Sequence, residues 1–178
     1  MNKNLLILGA GMFGSVVKEI AESMKLFDRI DFLDDTYGID NPECSRLTAP
    51  IGRLNDYKQM TGSYDCAIVS IGNPEVRRLW TEKLIEAGYD VPAVVSPNAY
   101  VSPAATINPG VVIAPMAVVN PNSSIGTGSF ITAGSVIDHN AVVAEYCNIQ
   151  CGTVITPCAN VPMFTKTLPN DVIRNTQQ

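Results

Sequence analysis

The chain has a single histidine, His139, and so lacks the several imidazoles from which a histidine zinc site is built; no metal is expected. Its five cysteines (Cys44, Cys66, Cys147, Cys151 and Cys158) form an odd set with no Cys-x-x-Cys pair. That is the pattern of reduced thiols rather than of a disulfide framework. Basic charge is scarce as well, with 12 Lys and Arg against 17 Asp and Glu for a net charge of −5. Nucleic acid, which needs a clustered basic face, is set aside as a partner. No long apolar run opens the chain, since only Leu5 to Leu8 precedes the first glycines. That run is too short for a signal sequence or a membrane span, so a cytoplasmic protein without membrane insertion is expected. With 46% hydrophobic and 16% charged residues over 178 positions, the composition is that of a folded protein of one ordinary domain or two small ones.

What the sequence has in abundance is periodicity. A β-branched aliphatic residue recurs at every sixth position through Val95, Val101, Ile107, Ile113, Val119, Ile125, Ile131, Ile137, Val143, Ile149, Ile155 and Val161. A short fixed period means one backbone unit stacked on itself, each unit burying its apolar residue against the next. Counted from the aliphatic residue, the fifth position is small in nearly every hexad, from Ala99 and Ala105 to Thr153 and Ala159. The third is proline in Pro97, Pro103, Pro109, Pro115, Pro121 and Pro157. Proline suits a bend between short segments and not a central antiparallel strand. If three hexads make one coil, residues eighteen apart stack, and Val95/Ile113/Ile131/Ile149 is the first of three inner columns. Twelve hexads then build about four coils, a prism about 19 Å tall at the spacing of strand layers. So thin a core predicts oligomerisation through the flat sides.

The first half has a different rhythm. Leu5 to Leu8 reads as a buried strand and Gly9-Ala10-Gly11-Met12-Phe13-Gly14 as a glycine turn, while Ser15 to Lys25 has helical apolar spacing. A second strand, Ile30 to Leu33, ends in Asp34 and Asp35; Asp34 lies twenty residues beyond Gly14, the spacing at which a carboxylate reaches a ribose hydroxyl. A third strand, Cys66 to Ile71, leads through Asn73 into a helix from about Glu75 to Ala87, with Arg77 at its entrance. Three such units make half of a dinucleotide fold, suited to a mononucleotide or a sugar nucleotide. Two readings of Gly9, Gly11 and Gly14 remain open: a phosphate cradle, or a tight turn with close helix packing.

The segment from Ser129 to Ile155, behind an Ile7-Leu8-Gly9-Ala10-Gly11-Met12-Phe13-Gly14 turn and a Phe32-Leu33-Asp34-Asp35 strand end, resembles the hexapeptide-repeat acyltransferases. More narrowly it resembles the sialic-acid O-acetyltransferase and UDP-4-amino-sugar N-acetyltransferase family, most specifically at Gly134 to His139. The resemblance implies an α/β Rossmann-like half domain over residues 1–92 and a short left-handed parallel β-helix over residues 93–163. A closing segment would follow over residues 164–178. It also implies a homotrimer with acetyl-CoA as co-substrate, and His139 as the base that takes the proton of the acceptor. Asp138 and Asn140 flank that histidine; Asn140 stands where some relatives carry an acid, and it can orient an imidazole but supplies no charge. Asn148 stands where many relatives place a second histidine on the acetyl group, and Gly152 matches a glycine whose N–H meets the thioester carbonyl. On the acceptor side Gly9, Gly11, Gly14, Asp34, Asp35 and Asn73 match the nucleotide region.

The same likeness suggests two fewer coils than in relatives. Removing about 36 residues leaves the eighteen-residue register intact but shortens the groove for the donor. N-acetylation of a nucleotide-linked amino sugar, in a surface-glycan or protein-glycan pathway, is the leading expectation. Two alternatives are O-acetylation of a sugar or sialic acid, and a non-catalytic trimeric module that binds a sugar nucleotide. A γ-class carbonic anhydrase on the same scaffold lacks the histidines for its metal.

Overall fold

The computed structural model describes residues 3–39 and 49–175, which leaves Cys44 and the last three positions outside. The chain divides into two compact units, Met1–Pro92 and Ala93–Gln178.

In the first unit β1 (Lys3–Leu8), β2 (Phe27–Leu33), β3 (Pro50–Gly52) and β4 (Cys66–Val69) form one parallel sheet in the order β3-β2-β1-β4. Leu5 to Leu8 have no exposed surface, as befits a central parallel strand covered on both faces. Helix α1 (Met12–Met24) buries Gly14, Val17, Ile20 and Ala21. Helix α2 (Pro74–Glu86) starts at Asn73, whose side chain accepts the Val76 N–H, with Pro74 in the first turn. A 3-10 helix over Leu54–Met60 links β3 to β4. Strand β3 was not anticipated: it is three residues long, starts with proline and ends with glycine, and such an edge strand carries no alternating pattern.

The second unit is built of two-residue strands, from β5 (Val94–Val95) through β6 (Tyr100–Val101) and onward at every sixth residue. They stack into three parallel sheets, each step advancing eighteen residues. The three inner columns expected from the sequence are present. Successive pairs run Val95–Ile113–Ile131–Ile149, Val101–Val119–Ile137–Ile155 and Ile107–Ile125–Val143–Val161. Small fifth-position residues complete the core, with Val111, Ala117, Ala141, Cys147 and Ala159 fully buried. Where that position is serine, the hydroxyl is bonded inside the coil, as in Ser129 Oγ to the Ala144 carbonyl at 2.8 Å.

The corners have a rule that the proline positions only hinted at. The fourth residue of each hexad from Gly110 to Asn170 is left-handed, with φ between 55° and 70° at all eleven positions. Seven of them are Gly or Asn, the residues that tolerate this region; Met116, Tyr146, Cys158 and Phe164 occupy it against the usual preference.

The stacking also continues past Val161. Lys166 bridges to Asn148, and the last strand, β17 (Val172–Ile173), pairs with β15 (Val154–Ile155). Thr167 takes the next inward place, buried, with its hydroxyl 3.0 Å from that of Thr153.

Candidate active site

His139 occupies a corner of the prism, between β12 (Val136–Ile137) and β13 (Val142–Val143), and is exposed. Three consecutive residues make the corner work as a unit. Asp138 turns its carboxylate back so that Oδ1 accepts the His139 N–H at 2.7 Å and the Asn120 amide, one coil earlier, at 2.9 Å. The His139 N–H and then the Asn120 amide hold the Asp138 carboxyl below its ordinary value of 3.8. Asn140, at φ 55°, sets its Nδ2 2.9 Å from His139 Nδ1. The next coil supports the corner from below, where Cys158 N–H donates to the His139 carbonyl at 3.1 Å.

The same edge continues into a cleft. Adding eighteen to Asp138 and His139 gives Thr156 and Pro157, and adding it again gives Arg174 and Asn175. These four residues line a cavity of about 350 Å³. Asn120, Thr156 and Arg174 were missed in the sequence because none is near His139 along the chain. The eighteen-residue step from Asp138 is the signal that finds them.

The residues expected to serve the donor lie elsewhere in the chain. Asn148 is buried in strand β14 (Asn148–Ile149), its backbone N–H donating to Thr165 and its carbonyl accepting from Thr167. Gly152 sits at the corner shared with Met116, Gly134 and Asn170, and its N–H donates to the Ala133 carbonyl at 3.1 Å. Asn170 Oδ1 fills the space where a side chain at Gly152 would begin. Within one chain, therefore, neither residue joins the His139 corner.

In the first unit the glycine turn and Asp34 do come together at the C-terminal end of the sheet, where parallel α/β sheets bind ligands. Asp34 Oδ2 accepts the Ala10 N–H at 2.8 Å, and Oδ1 accepts the Thr36 N–H and hydroxyl at 2.9 and 2.7 Å. Burial raises the Asp34 pKa, but the Thr36 hydroxyl, Ala10 N–H and Thr36 N–H outweigh it, and the net shift is downward. Gly9 has φ 108°, and a side chain at Gly14 would run into the Gly9 carbonyl. Both glycines are therefore required by the turn itself. Gly11 differs: a Cβ there would meet nothing, and it opens α1 with no side-chain cap and no acid in the first turn. Asp35 is exposed, its Oδ1 accepting the Leu54 N–H at 3.2 Å, and Asn73 caps α2. Arg77, fully buried, donates from Nη1 to the Ile71 and Gly72 carbonyls and fixes the loop before that helix. Among the described residues no three His, Cys, Asp or Glu side chains are grouped as a metal site, and the described cysteines are free thiols.

Residues 4–84 match the family model of the PglD N-terminal domain, a stretch that holds the glycine turn, Asp34, Asp35 and Asn73. None of the curated proteins matches the sequence. The acetyltransferase domain of PglB from Neisseria gonorrhoeae FA1090, solved with acetyl coenzyme A, is 26% identical with a TM-score of 0.79, over 98% of this chain and 86% of that one. A histidine-to-asparagine mutant of perosamine N-acetyltransferase from Caulobacter crescentus, solved with CoA and GDP-perosamine, shares the fold at 18% identity and TM-score 0.82, over 96% and 82% of the two chains. WeeI from Acinetobacter baumannii AYE shares it at 16% identity and TM-score 0.55, over 96% and 93%. The fold and the repeat, an α/β half domain followed by a left-handed parallel β-helix, are similar to those of the hexapeptide-repeat acetyltransferases. The likeness is to the sugar N-acetyltransferases of that class, as the sequence motifs implied.

Proposed function

We propose that the protein transfers the acetyl group of acetyl-CoA to the amine of a nucleotide-linked amino sugar, with His139 as general base. The observation that carries this reading is the His139 corner itself: one exposed imidazole, its backbone pinned by Asp138 and its ring met by Asn140. The solved complexes of similar proteins with acetyl coenzyme A, and with CoA and GDP-perosamine, support the choice of donor and acceptor class.

For Nε2 to take a proton, Nδ1 must keep its own. The Asn140 amide has nearly isosteric ends, and turning it over brings Oδ1 to the point 2.9 Å from Nδ1. It then accepts the Nδ1 proton and leaves the Nε2 lone pair for the acceptor amine. The amine nitrogen attacks the thioester carbonyl carbon, His139 removes the amine proton, and collapse of the tetrahedral species expels the CoA thiolate, which takes up that proton. No covalent enzyme intermediate is needed. The acceptor nucleotide is held by the turn at Gly9, Gly11 and Gly14 with Asp34, Asp35 and Asn73, Gly11 and Asp35 presenting the open surface.

The working unit is a homotrimer in the cytoplasm, in a pathway that makes surface or protein-linked glycans. Support for the assembly comes from the outward row of the sheet that ends at His139: Tyr100, Val118, Val136, Val154 and Val172 are all apolar, with Tyr100 55% and Val172 44% exposed. A second copy seated on that row would leave His139 at the rim of a shared cleft, and Asn148 and Gly152 would serve the donor only from such a neighbour. The test is a panel of nucleotide amino and hydroxy sugars with acetyl-CoA, read by mass spectrometry, together with sedimentation of the wild-type protein. Acetylated amine product from a trimer is expected. Product only from hydroxyl acceptors would replace the acceptor class, and nucleotide-sugar binding without any transfer would leave a binding module.

A further inference from the structure

Three strands of the first unit end level with one another. Leu8 at the end of β1 pairs with Leu33 of β2 on one side and with Val69 of β4 on the other, so Asp34, Gly9 and Ser70 are the next residues out on the three strands. The two outer residues grip one peptide between them. Ser70 Oγ donates to the Gly9 carbonyl at 2.6 Å, and Asp34 Oδ2 accepts the Ala10 N–H at 2.8 Å; that carbonyl and that N–H are the two ends of the Gly9–Ala10 peptide. Gly9 itself stands at φ 108°, where a Cβ would come within 3.0 Å of Ser70 Oγ.

We infer that Ser70 and Asp34 are positioning residues for the acceptor nucleotide, which act by clamping the Gly9–Ala10 peptide from its two ends and make no bond to the ribose. The inference rests on the nucleotide-sugar reading above and deepens it. A glycine that permits φ 108° permits many other conformations as well, so the turn that leads to the open face at Gly11 needs something to hold it in one. The clamp supplies that. Ser70 is 5% exposed, set behind the turn, and its hydroxyl faces the Gly9 and Leu8 carbonyls, so any effect it has on a ligand passes through the peptide it holds. Asp34 is committed in the same way. Its carboxylate already accepts three donors, from the Ala10 N–H, the Thr36 N–H and the Thr36 hydroxyl, and a ribose hydroxyl would have to compete with them. The acid at ribose spacing therefore shapes the turn, and Asp35, exposed one residue further on, is the carboxylate left facing solvent.

The experiment is calorimetric titration of UDP, GDP, the 2′-deoxy and 3′-deoxy forms of each, and CoA into the full chain. The proteins are wild type, Ser70→Ala, Asp34→Ala and the double variant, each first shown by circular dichroism to unfold cooperatively. For the diphosphate that wild type binds, affinity should fall about fivefold in Ser70→Ala, the effect of losing one hydrogen bond that favours the competent turn. Asp34→Ala should weaken the ribo and deoxy forms by the same factor, because the carboxylate acts on the turn and not on a sugar hydroxyl. The double variant should depart from the product of the two single losses, since both side chains hold one peptide. CoA affinity should be the same in all four proteins. Unchanged diphosphate affinity in Ser70→Ala overturns the inference while leaving the nucleotide reading intact. So do an Asp34→Ala loss confined to the ribo forms, single losses that simply multiply, and an equal loss for CoA. A wild-type protein that binds no nucleoside diphosphate overturns both.

Discussion

Gly128 and Gly134 occupy the same left-handed corner position in consecutive hexads, at φ 65° and 69°, yet alanine at each should behave differently. A methyl at 134 would find nothing closer than Gly152 N at 4.0 Å, so Gly134→Ala bears only the left-handed penalty of about 1 kcal/mol. A methyl at 128 would lie 2.7 Å from Cδ1 and Cε1 of Tyr146. That ring has little room to retreat: Tyr146 is 6% exposed, and it stacks on Phe164 with centroids 6.0 Å apart and planes at 28°. Overpacking of this kind adds about 1–3 kcal/mol, for a total near 3 kcal/mol in Gly128→Ala. For a protein of this size each kcal/mol moves the melting midpoint by about 2–4 °C, so drops of roughly 3 °C and 9 °C are expected for the two variants. Urea and thermal unfolding followed by circular dichroism would measure them. The clash also predicts coupling, since in a Tyr146→Ala background Gly128→Ala should lose no more than Gly134→Ala does. Equal destabilisation of the two single variants, or no relief in the Tyr146→Ala background, would refute the account of this corner.

Further predictions follow the same geometry. Ile131→Ala removes a fully buried rung of the inner column and should destabilise the prism by about 2–5 kcal/mol in urea unfolding. Asn73→Ala should lower stability by about 1 kcal/mol through loss of the α2 cap, with the acceptor KM raised as well where Asn73 also serves the nucleotide. Asp34 and Asp138 both titrate below 3.8 in the folded chain, so their stabilising contribution is complete above that pH and is lost as pH falls through their lowered values. Acid unfolding of Asp34→Asn and Asp138→Asn should be less steep below pH 3.8 than that of the wild type; superimposable curves would contradict the assignment.

The prism was legible because its chemistry leaves the sequence little choice. An inward position flanked by coils on both sides must be compact and apolar, and Val95 to Val161 obey without exception. Two things blurred the reading. Thr167 fills an inward place with a hydroxyl that bonds to Thr153 and Gln150, so the ladder looks finished one coil early. The left-handed corner is written in Gly and Asn at seven positions but overwritten by Met116, Tyr146, Cys158 and Phe164. At the site, Asp138, His139 and Asn140 could be read together because they are adjacent. Asn120 and Arg174 stand on the same edge, eighteen and thirty-six residues from Asp138, a relation that exists only once the coils are stacked. Asp34 shows the opposite case, where the spacing singles out the residue along the chain but gives no sign of its bond to the glycine turn at Ala10.

The central claim is that acetyl transfer takes place at the His139 corner. Turnover of acetyl-CoA with a nucleotide amino sugar, compared between wild type and His139→Ala at equal folded concentration, tests it most directly. The variant is predicted to lose at least a hundredfold in kcat while still binding both substrates. Near-normal turnover in His139→Ala would contradict the account.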